Sequence, residues 1–140
     1  MNRLFLLLAA SLLLAVTSCS KSTTPSVLVA PGNELIAKLA TDQLAAYNRA
    51  DLDAFCACYH PDVRVFNGDE EKPRGIEAFR SRYAEMFAKG GFSATVPKRI
   101  TLGDHCVDLE HWSRDNGKRG EVLVRYTERD GLIGVVQFLR

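Results

Sequence analysis

The fold is decided by the stretch Tyr47-Asn48-Arg49-Ala50-Asp51-Leu52-Asp53-Ala54-Phe55, where one predicted helix ends and a second begins. Asp51 is a good N-cap, so a short helix is expected to begin directly after it. His60-Pro61 is expected to end that helix, because the residue before a proline avoids the helical region. The buried side of the short helix is predicted to consist of Leu52, Phe55, Cys56 and Tyr59.

The chain before this stretch predicts a longer helix over residues 33–49. Asn33 is a good N-cap, and Glu34 places a negative charge in the first turn. A spacing of three and four residues puts one set of side chains on a single face, namely Ile36, Leu39, Gln43 and Tyr47. Gln43 is the polar member of that otherwise apolar stripe.

The chain after the stretch predicts a strand over residues 63–66 and a polar loop over 67–73. A third helix opens at Gly75 and stops at Gly90-Gly91. Its apolar side chains follow the helical period and are Ile76, Phe79, Tyr83, Met86 and Phe87.

Four strands are predicted to complete the chain, over residues 92–102, 105–113, 120–128 and 132–139. Pro97 indicates an edge position or a bulge in the first of them. Asp115-Asn116-Gly117 is a strong hairpin signal between the second and the third. The order of elements predicts an α+β fold, in which three helices gather on one face of a curved antiparallel sheet.

The N-terminus has the features of an exported chain. Arg3 precedes an apolar run over residues 4–16, and Val16-Thr17-Ser18-Cys19 follows. The run has 13 residues, whereas a spanning helix needs roughly 20. A secretory signal therefore fits better than a transmembrane helix. The motif resembles the lipobox of bacterial lipoproteins, which implies cleavage before Cys19 and lipidation of its thiol; a plain signal peptide is the alternative.

This interpretation divides the chain into a signal peptide (residues 1–18), a lipidated tether (19–32) and a folded domain (33–140). The protein is then expected at the cell envelope, anchored to a membrane through lipidated Cys19. Ser20 follows the cysteine in place of aspartate, which in a Gram-negative host favours the outer membrane.

Charge and cysteine content exclude several classes of function. One of the 18 basic residues lies in the signal peptide, so the mature chain has 17 basic and 17 acidic residues. Nucleic-acid binding is not expected without a basic footprint. Cys56, Cys58 and Cys106 are predicted to be small apolar fillers. No metal and no cofactor are expected, since His105 and His111 would lie roughly 20 Å apart along one strand.

The order and spacing of several short motifs resemble the nuclear transport factor 2-like superfamily, in its SnoaL-like and ketosteroid isomerase-like branch. The motifs are residues 47–55, Tyr59-His60-Pro61-Asp62-Val63, Arg74-Gly75-Ile76-Glu77-Ala78-Phe79, Tyr126, Arg129-Asp130-Gly131 and Ile133. The resemblance covers residues 40–138 and implies a cone-shaped fold with a pocket between the first helix and the concave sheet. It also implies a possible homodimer, formed through the sheet.

The positions that carry chemistry in the steroid isomerases of this branch are different in this chain. The general-base carboxylate falls on Asn67, and the oxyanion-hole tyrosine falls on Gln43. The oxyanion-hole aspartic acid falls on Leu123 or Val124. An amide cannot act as a general base, so ketosteroid isomerisation by that mechanism is not expected.

Strand alternation predicts what lines the pocket. The apolar members of each strand are taken to point inward, together with the polar residues that share their faces. The predicted pocket residues are Gln43, Tyr47, Asn67, Val107, Leu109, Val124 and Tyr126, together with His111. By the same alternation Asp108, Glu110 and Trp112 face away, either solvated or in an interface.

Three functions are compatible with this reasoning. The first is a lipid-anchored domain that binds a small, largely apolar molecule. The second is an isomerase, cyclase or hydratase in which His111 is the catalytic base; alternatively, His111 is a partly exposed histidine at the end of the sheet. The third is an assembly module that uses the face of Asp108, Glu110 and Trp112.

Overall fold

The structure is a computed structural model that describes residues 34–139. The signal peptide, the tether and Cys19 lie outside the described residues. No helix within residues 34–139 is long and apolar enough to cross a membrane. The elements are α1 (Glu34–Asn48), α2 (Leu52–Ala57), β1 (Tyr59–Asn67), β2 (Glu70–Glu71), α3 (Ile76–Lys89), β3 (Phe92–Leu102), β4 (His105–Arg114), β5 (Arg119–Arg129) and β6 (Leu132–Leu139).

The junction of α1 and α2 forms as its sequence predicts. The Asp51 side chain accepts a hydrogen bond from the Ala54 backbone N–H at 3.0 Å, which confirms Asp51 as the N-cap. The Phe55 ring on α2 lies 5.0 to 6.0 Å from the rings of five other aromatic residues. These rings belong to Tyr47, Tyr59, Phe79, Tyr83 and Phe87. Phe55 therefore joins all three helices to β1.

The prediction that His60-Pro61 ends α2 is wrong. The helix ends at Ala57, and both residues lie inside β1. The chain extends early because Ile133 of β6 donates its backbone N–H to the Cys58 carbonyl at 2.9 Å. Pro61 is tolerated there because the β1–β6 register shifts between Tyr59 and Arg64, where no regular ladder bond is required of it.

The six strands form one sheet in the order β2-β1-β6-β5-β4-β3. The expected α+β fold of three helices on a curved sheet is confirmed. One pairing departs from the prediction, because β1 and β6 run parallel while all other neighbours are antiparallel. The short strand β2 lies in the predicted polar loop. Pro97 lies on an edge strand and within a register shift between Thr95 and Lys98, as predicted.

The side chains of β4 point to the opposite faces of the sheet from those predicted. Residues that lie directly opposite each other share a face, and Cys106 pairs with Tyr126, while Asp108 pairs with Val124. Tyr126 and Val124 are buried, so Cys106 and Asp108 point toward the helices with them. The residues predicted to point inward, Val107, Leu109 and His111, therefore lie on the outer face.

An ion pair explains this facing. Asp108 has no exposed surface, and both of its carboxylate oxygens accept hydrogen bonds from the Arg99 guanidinium at 2.7 Å. Arg99 Nη1 also donates to the Ala37 carbonyl at 2.9 Å and to the Thr41 hydroxyl at 2.6 Å, both on α1. The pair thus connects β3, β4 and α1. The three described cysteines, Cys56, Cys58 and Cys106, are free and buried, consistent with their predicted role as fillers.

The substitution Asp108→Asn is expected to lower the free energy of unfolding by about 3 kcal/mol, because it leaves the Arg99 charge without its carboxylate in a buried site. Urea denaturation measures the loss. The control is Asp42→Asn, which breaks the exposed ion pair with Lys38 on α1 and is expected to leave stability close to wild type. Equal losses in the two variants would contradict the importance of the buried pair.

Candidate functional site

A cavity of about 920 Å³ lies between the helices and the concave face of the sheet. All four tyrosines of the chain and its single tryptophan line it. The lining residues are Gln43, Leu44, Tyr47, Phe55, Tyr59, Arg82, Tyr83, Met86, Ala94, Glu110, Trp112, Arg114, Asn116, Lys118, Glu121, Val122, Tyr126, Val136, Phe138 and Leu139. Thirteen of these twenty residues are aromatic or aliphatic, and seven are polar or charged.

Four of the polar side chains form a continuous hydrogen-bonded chain. The Tyr59 hydroxyl donates to Gln43 Oε1 at 3.1 Å, and Gln43 Nε2 donates to the Tyr126 hydroxyl at 3.1 Å. The Tyr126 hydroxyl in turn donates to Glu110 Oε1 at 2.6 Å. Gln43 is fixed further by a bond from Nε2 to the Ala40 carbonyl at 3.2 Å. Along this series of hydrogen bonds, each donor points in the direction of Glu110.

Glu110 is the carboxylate at the end of this chain, and its environment opposes ionisation. Burial raises the pKa of the Glu110 carboxyl, and the nearby charge of Asp108 raises it further. The hydrogen bond from Tyr126 and the charge of Arg99 act in the opposite direction and do not fully compensate. Glu110 is therefore easier to protonate than an exposed glutamate.

The second oxygen of Glu110 is open to the cavity. Oε2 has no hydrogen-bond partner among the described residues, and it retains surface that solvent can reach. An atom that is neither bonded nor sealed is available to a molecule in the cavity.

Two further tyrosine hydroxyls face the cavity. That of Tyr47 has no hydrogen bond to the described residues and is not sealed from solvent, whereas that of Tyr83 interacts with the Arg82 side chain. Burial raises the pKa of Tyr83 to about 12 and also raises the pKa of Tyr47, so both phenols stay protonated and can donate. In both cases the charge of a neighbouring arginine, Arg82 for Tyr83 and Arg114 for Tyr47, partly counteracts the rise in pKa, and for Tyr83 a hydrogen bond with Arg82 adds to this effect.

The predicted pocket residues are only partly brought together. Gln43, Tyr47 and Tyr126 line the cavity as predicted. Val124 lies on the same face but is fully buried and does not line it. Asn67 lies outside the lining as well, and its Oδ1 atom is buried without a partner among the described residues.

The prediction that His111 lies in the pocket is wrong, as it is for Val107 and Leu109. His111 is exposed on the outer face, where its Nε2 atom lies 3.2 Å from a carboxylate oxygen of Glu121. The catalytic role predicted for His111 rested on its inward facing. The structure therefore removes that role.

Sequence reasoning missed the residues that make the site polar, Glu110 and Tyr59, and the aromatic residues Trp112 and Tyr83. A signal for β4 was present in the alternation of Cys106, Asp108, Glu110 and Trp112. This set contains a cysteine and the only tryptophan, two residue types that are usually well buried. Within residues 34–139 no cluster of histidine, cysteine and acidic side chains could hold a metal ion.

Comparisons with known proteins agree with this architecture. The family model described as SnoaL-like domain matches residues 40–135, while no functionally curated protein matches the sequence. Three solved structures illustrate the fold. An uncharacterised cystatin-fold protein from Novosphingobium aromaticivorans has 23% identity and a TM-score of 0.69, over 77% of this chain and 98% of its own.

The other two structures are described as enzymes, although their sequences differ widely from this one. A candidate ketosteroid isomerase from Kribbella flavida has 20% identity and a TM-score of 0.66, over 76% of this chain and 78% of its own. A candidate SnoaL-like polyketide cyclase from Jannaschia sp. has 16% identity and a TM-score of 0.65, over 79% and 88%. Identities this low establish the fold alone, and the family match adds that this chain belongs to the SnoaL-like domain family.

Proposed function

We propose that this domain binds one small, largely apolar molecule in the cavity, and that a polar group of the molecule contacts Glu110. The open Oε2 atom of Glu110 at the end of the hydrogen-bonded chain is the observation that carries the proposal. Small-molecule sites are typically about 300 to 1,000 Å³ and mainly apolar, with a few convergent polar groups. A volume of about 920 Å³ with this lining fits that description.

Binding can be tested with N-phenyl-1-naphthylamine, a neutral apolar dye whose fluorescence increases in apolar surroundings. Val122→Phe places a larger side chain in the cavity and is expected to weaken dye binding roughly tenfold, or about 1.4 kcal/mol. The control is Leu123→Phe, the next residue of β5, which lies on the outer face and is 43% exposed. Absence of dye binding by the wild type, or equal weakening in both variants, would contradict the proposal.

A second candidate function is proton transfer, because Glu110 places a carboxylate of raised pKa against the cavity. It replaces His111 in the isomerase, cyclase or hydratase interpretation. An ionised Glu110 would accept a proton from carbon next to a ligand carbonyl, and a protonated Glu110 would return it. General acid–base groups contribute about 10²- to 10⁴-fold in rate.

Deuterium exchange into 2-decanone in D₂O, followed by proton NMR, measures this chemistry. Glu110→Gln is expected to slow exchange by roughly 10²-fold. Tyr126→Phe removes a hydrogen bond that lowers the pKa of Glu110, so the pH midpoint of exchange should move upward. Tyr59→Phe removes a hydroxyl that bonds Gln43 instead of Glu110, and should change the midpoint less. Undiminished exchange in Glu110→Gln would exclude proton transfer by this residue.

We also propose that the domain is tethered to a membrane of the cell envelope through lipidated Cys19. The apolar run over residues 4–16 and the lipobox-like Val16-Thr17-Ser18-Cys19 support this location. One acyl chain binds membranes only marginally, whereas two or more anchor a protein stably. The lipid anchor on Cys19 is therefore expected to carry several acyl chains.

Metabolic labelling with palmitate in a bacterium that expresses the chain tests the anchor. The wild-type protein should be labelled and should sediment with membranes, while Cys19→Ala should lose both properties. Cys58→Ala is the control, because Cys58 is a buried cysteine of the folded domain and should leave the labelling unchanged. Labelling that persists in Cys19→Ala would exclude this site.

A further inference from the structure

We propose that the ligand is an amphiphile with an anionic head group, and that Arg114 and Arg82 hold this group at the mouth of the cavity. The inference rests on the proposed binding function and names the class of molecule that would use it. The ligand would enter with its apolar end first and leave its charged end at the rim.

Arg114 is placed to meet such a group. It is the last residue of β4, it is half-buried, and it lines the cavity. Its guanidinium carbon lies 5.5 Å from the centre of the Phe92 ring, which fixes the side chain over the rim. No carboxylate among the described residues lies within ion-pair distance of it.

Arg82 lines the same cavity from α3 and also has no ion-pair partner among residues 34–139. The two arginines thus line one cavity from two elements, Arg82 from the middle of α3 and Arg114 from the end of β4. Each arginine adjoins a tyrosine of the lining, Arg114 beside Tyr47, whose hydroxyl has no partner among the described residues, and Arg82 beside Tyr83. Arginine and a phenolic hydroxyl together offer the donors that a carboxylate or phosphate accepts.

The charges at the mouth are not balanced within the protein. Arg82, Arg114 and Lys118 line this part of the cavity, and none of them forms an ion pair with a described residue. The acidic lining residues are Glu110 and Glu121, so three cationic side chains share the lining with two carboxylates. The mouth thus has an excess of positive charge that an anionic ligand would neutralise.

The part of the cavity that contains Glu110 has the opposite preference. Glu110 is half-buried and bonded to the buried Tyr126 hydroxyl, so an anionic group beside it would either meet like charge or force the carboxyl to take up a proton, and both are unfavourable. An anionic ligand therefore has a single favourable orientation. Its charge lies at the arginines, its apolar body lies along the aromatic wall, and any second polar group reaches Glu110.

Decanoate and decan-1-ol test the inference, since they share a ten-carbon body and differ in head-group charge. Each is used to displace N-phenyl-1-naphthylamine from the purified protein at low salt. Decanoate is expected to bind roughly tenfold more tightly, because a charge-assisted hydrogen bond is stronger than a neutral one. Equal displacement by the two probes would overturn the inference and leave apolar binding intact, whereas failure of both probes to bind would overturn apolar binding itself.

Variants assign the effect to the two arginines. The double variant Arg82→Gln/Arg114→Gln should lose most of the preference for decanoate and keep its affinity for decan-1-ol, which also shows that it is folded. Arg119→Gln is the matched control, because Arg119 is on the same hairpin but does not line the cavity. An equal loss of preference in Arg119→Gln would indicate general electrostatic attraction and would overturn the assignment. If the double variant also loses its affinity for decan-1-ol, the single variants Arg114→Gln and Arg82→Gln are measured instead. A tenfold preference for decanoate over decan-1-ol that persists in both single variants overturns the assignment.

Discussion

Asp108 has a charged side chain with no exposed surface, and the arrangement of β3, β4 and α1 follows from the need to neutralise it. A buried carboxylate without a partner would cost several kcal/mol, so Arg99 must reach it from β3. Arg99 then bonds Ala37 and Thr41 and holds α1 across the sheet. Because α1 carries Gln43 and Tyr47, the Arg99–Asp108 ion pair positions the part of the cavity wall that α1 supplies. The same ion pair determines which side chains of β4 point toward the helices.

The direction of β4 decides the chemistry of the cavity. Side chains two residues apart in a strand share a face, so an inward Asp108 requires an inward Glu110. Asp108 is neutralised by Arg99, whereas Glu110 has only the Tyr126 hydroxyl and remains the carboxylate whose free oxygen a ligand can reach. The raised pKa of Tyr126 and of Tyr59, due first to burial, keeps both phenols protonated. They therefore act as hydrogen-bond donors along the chain that ends at Glu110.

The sequence predicts the elements well because their signals are local. The N-cap at Asp51, the helical period from Ile76 to Phe87, and the turn at Asp115-Asn116-Gly117 each depend on neighbours within a few residues. The facing of β4 could not be obtained in this way. Alternation by hydrophobicity favours Val107 and Leu109 as the inward residues, but Asp108 is buried by a partner on another strand and by α1. The parallel pairing of β1 with β6 likewise joins segments far apart in the chain, at Val65 and Val136.

The position of the acidic group also separates this chain from the steroid isomerases that its sequence resembles. In that family the resemblance places the proton-transferring carboxylate at Asn67 on β1, and here Asn67 does not line the cavity. A carboxylate is nevertheless present on the same concave face, supplied by Glu110 on β4. In a curved sheet every central strand directs alternate residues into one hollow, so an acid lost from one strand can be supplied by another without a change of fold. The different residues at the positions of the family's catalytic groups argue against one mechanism, while the concave face still presents a carboxylate, that of Glu110, among the four tyrosines of the cavity.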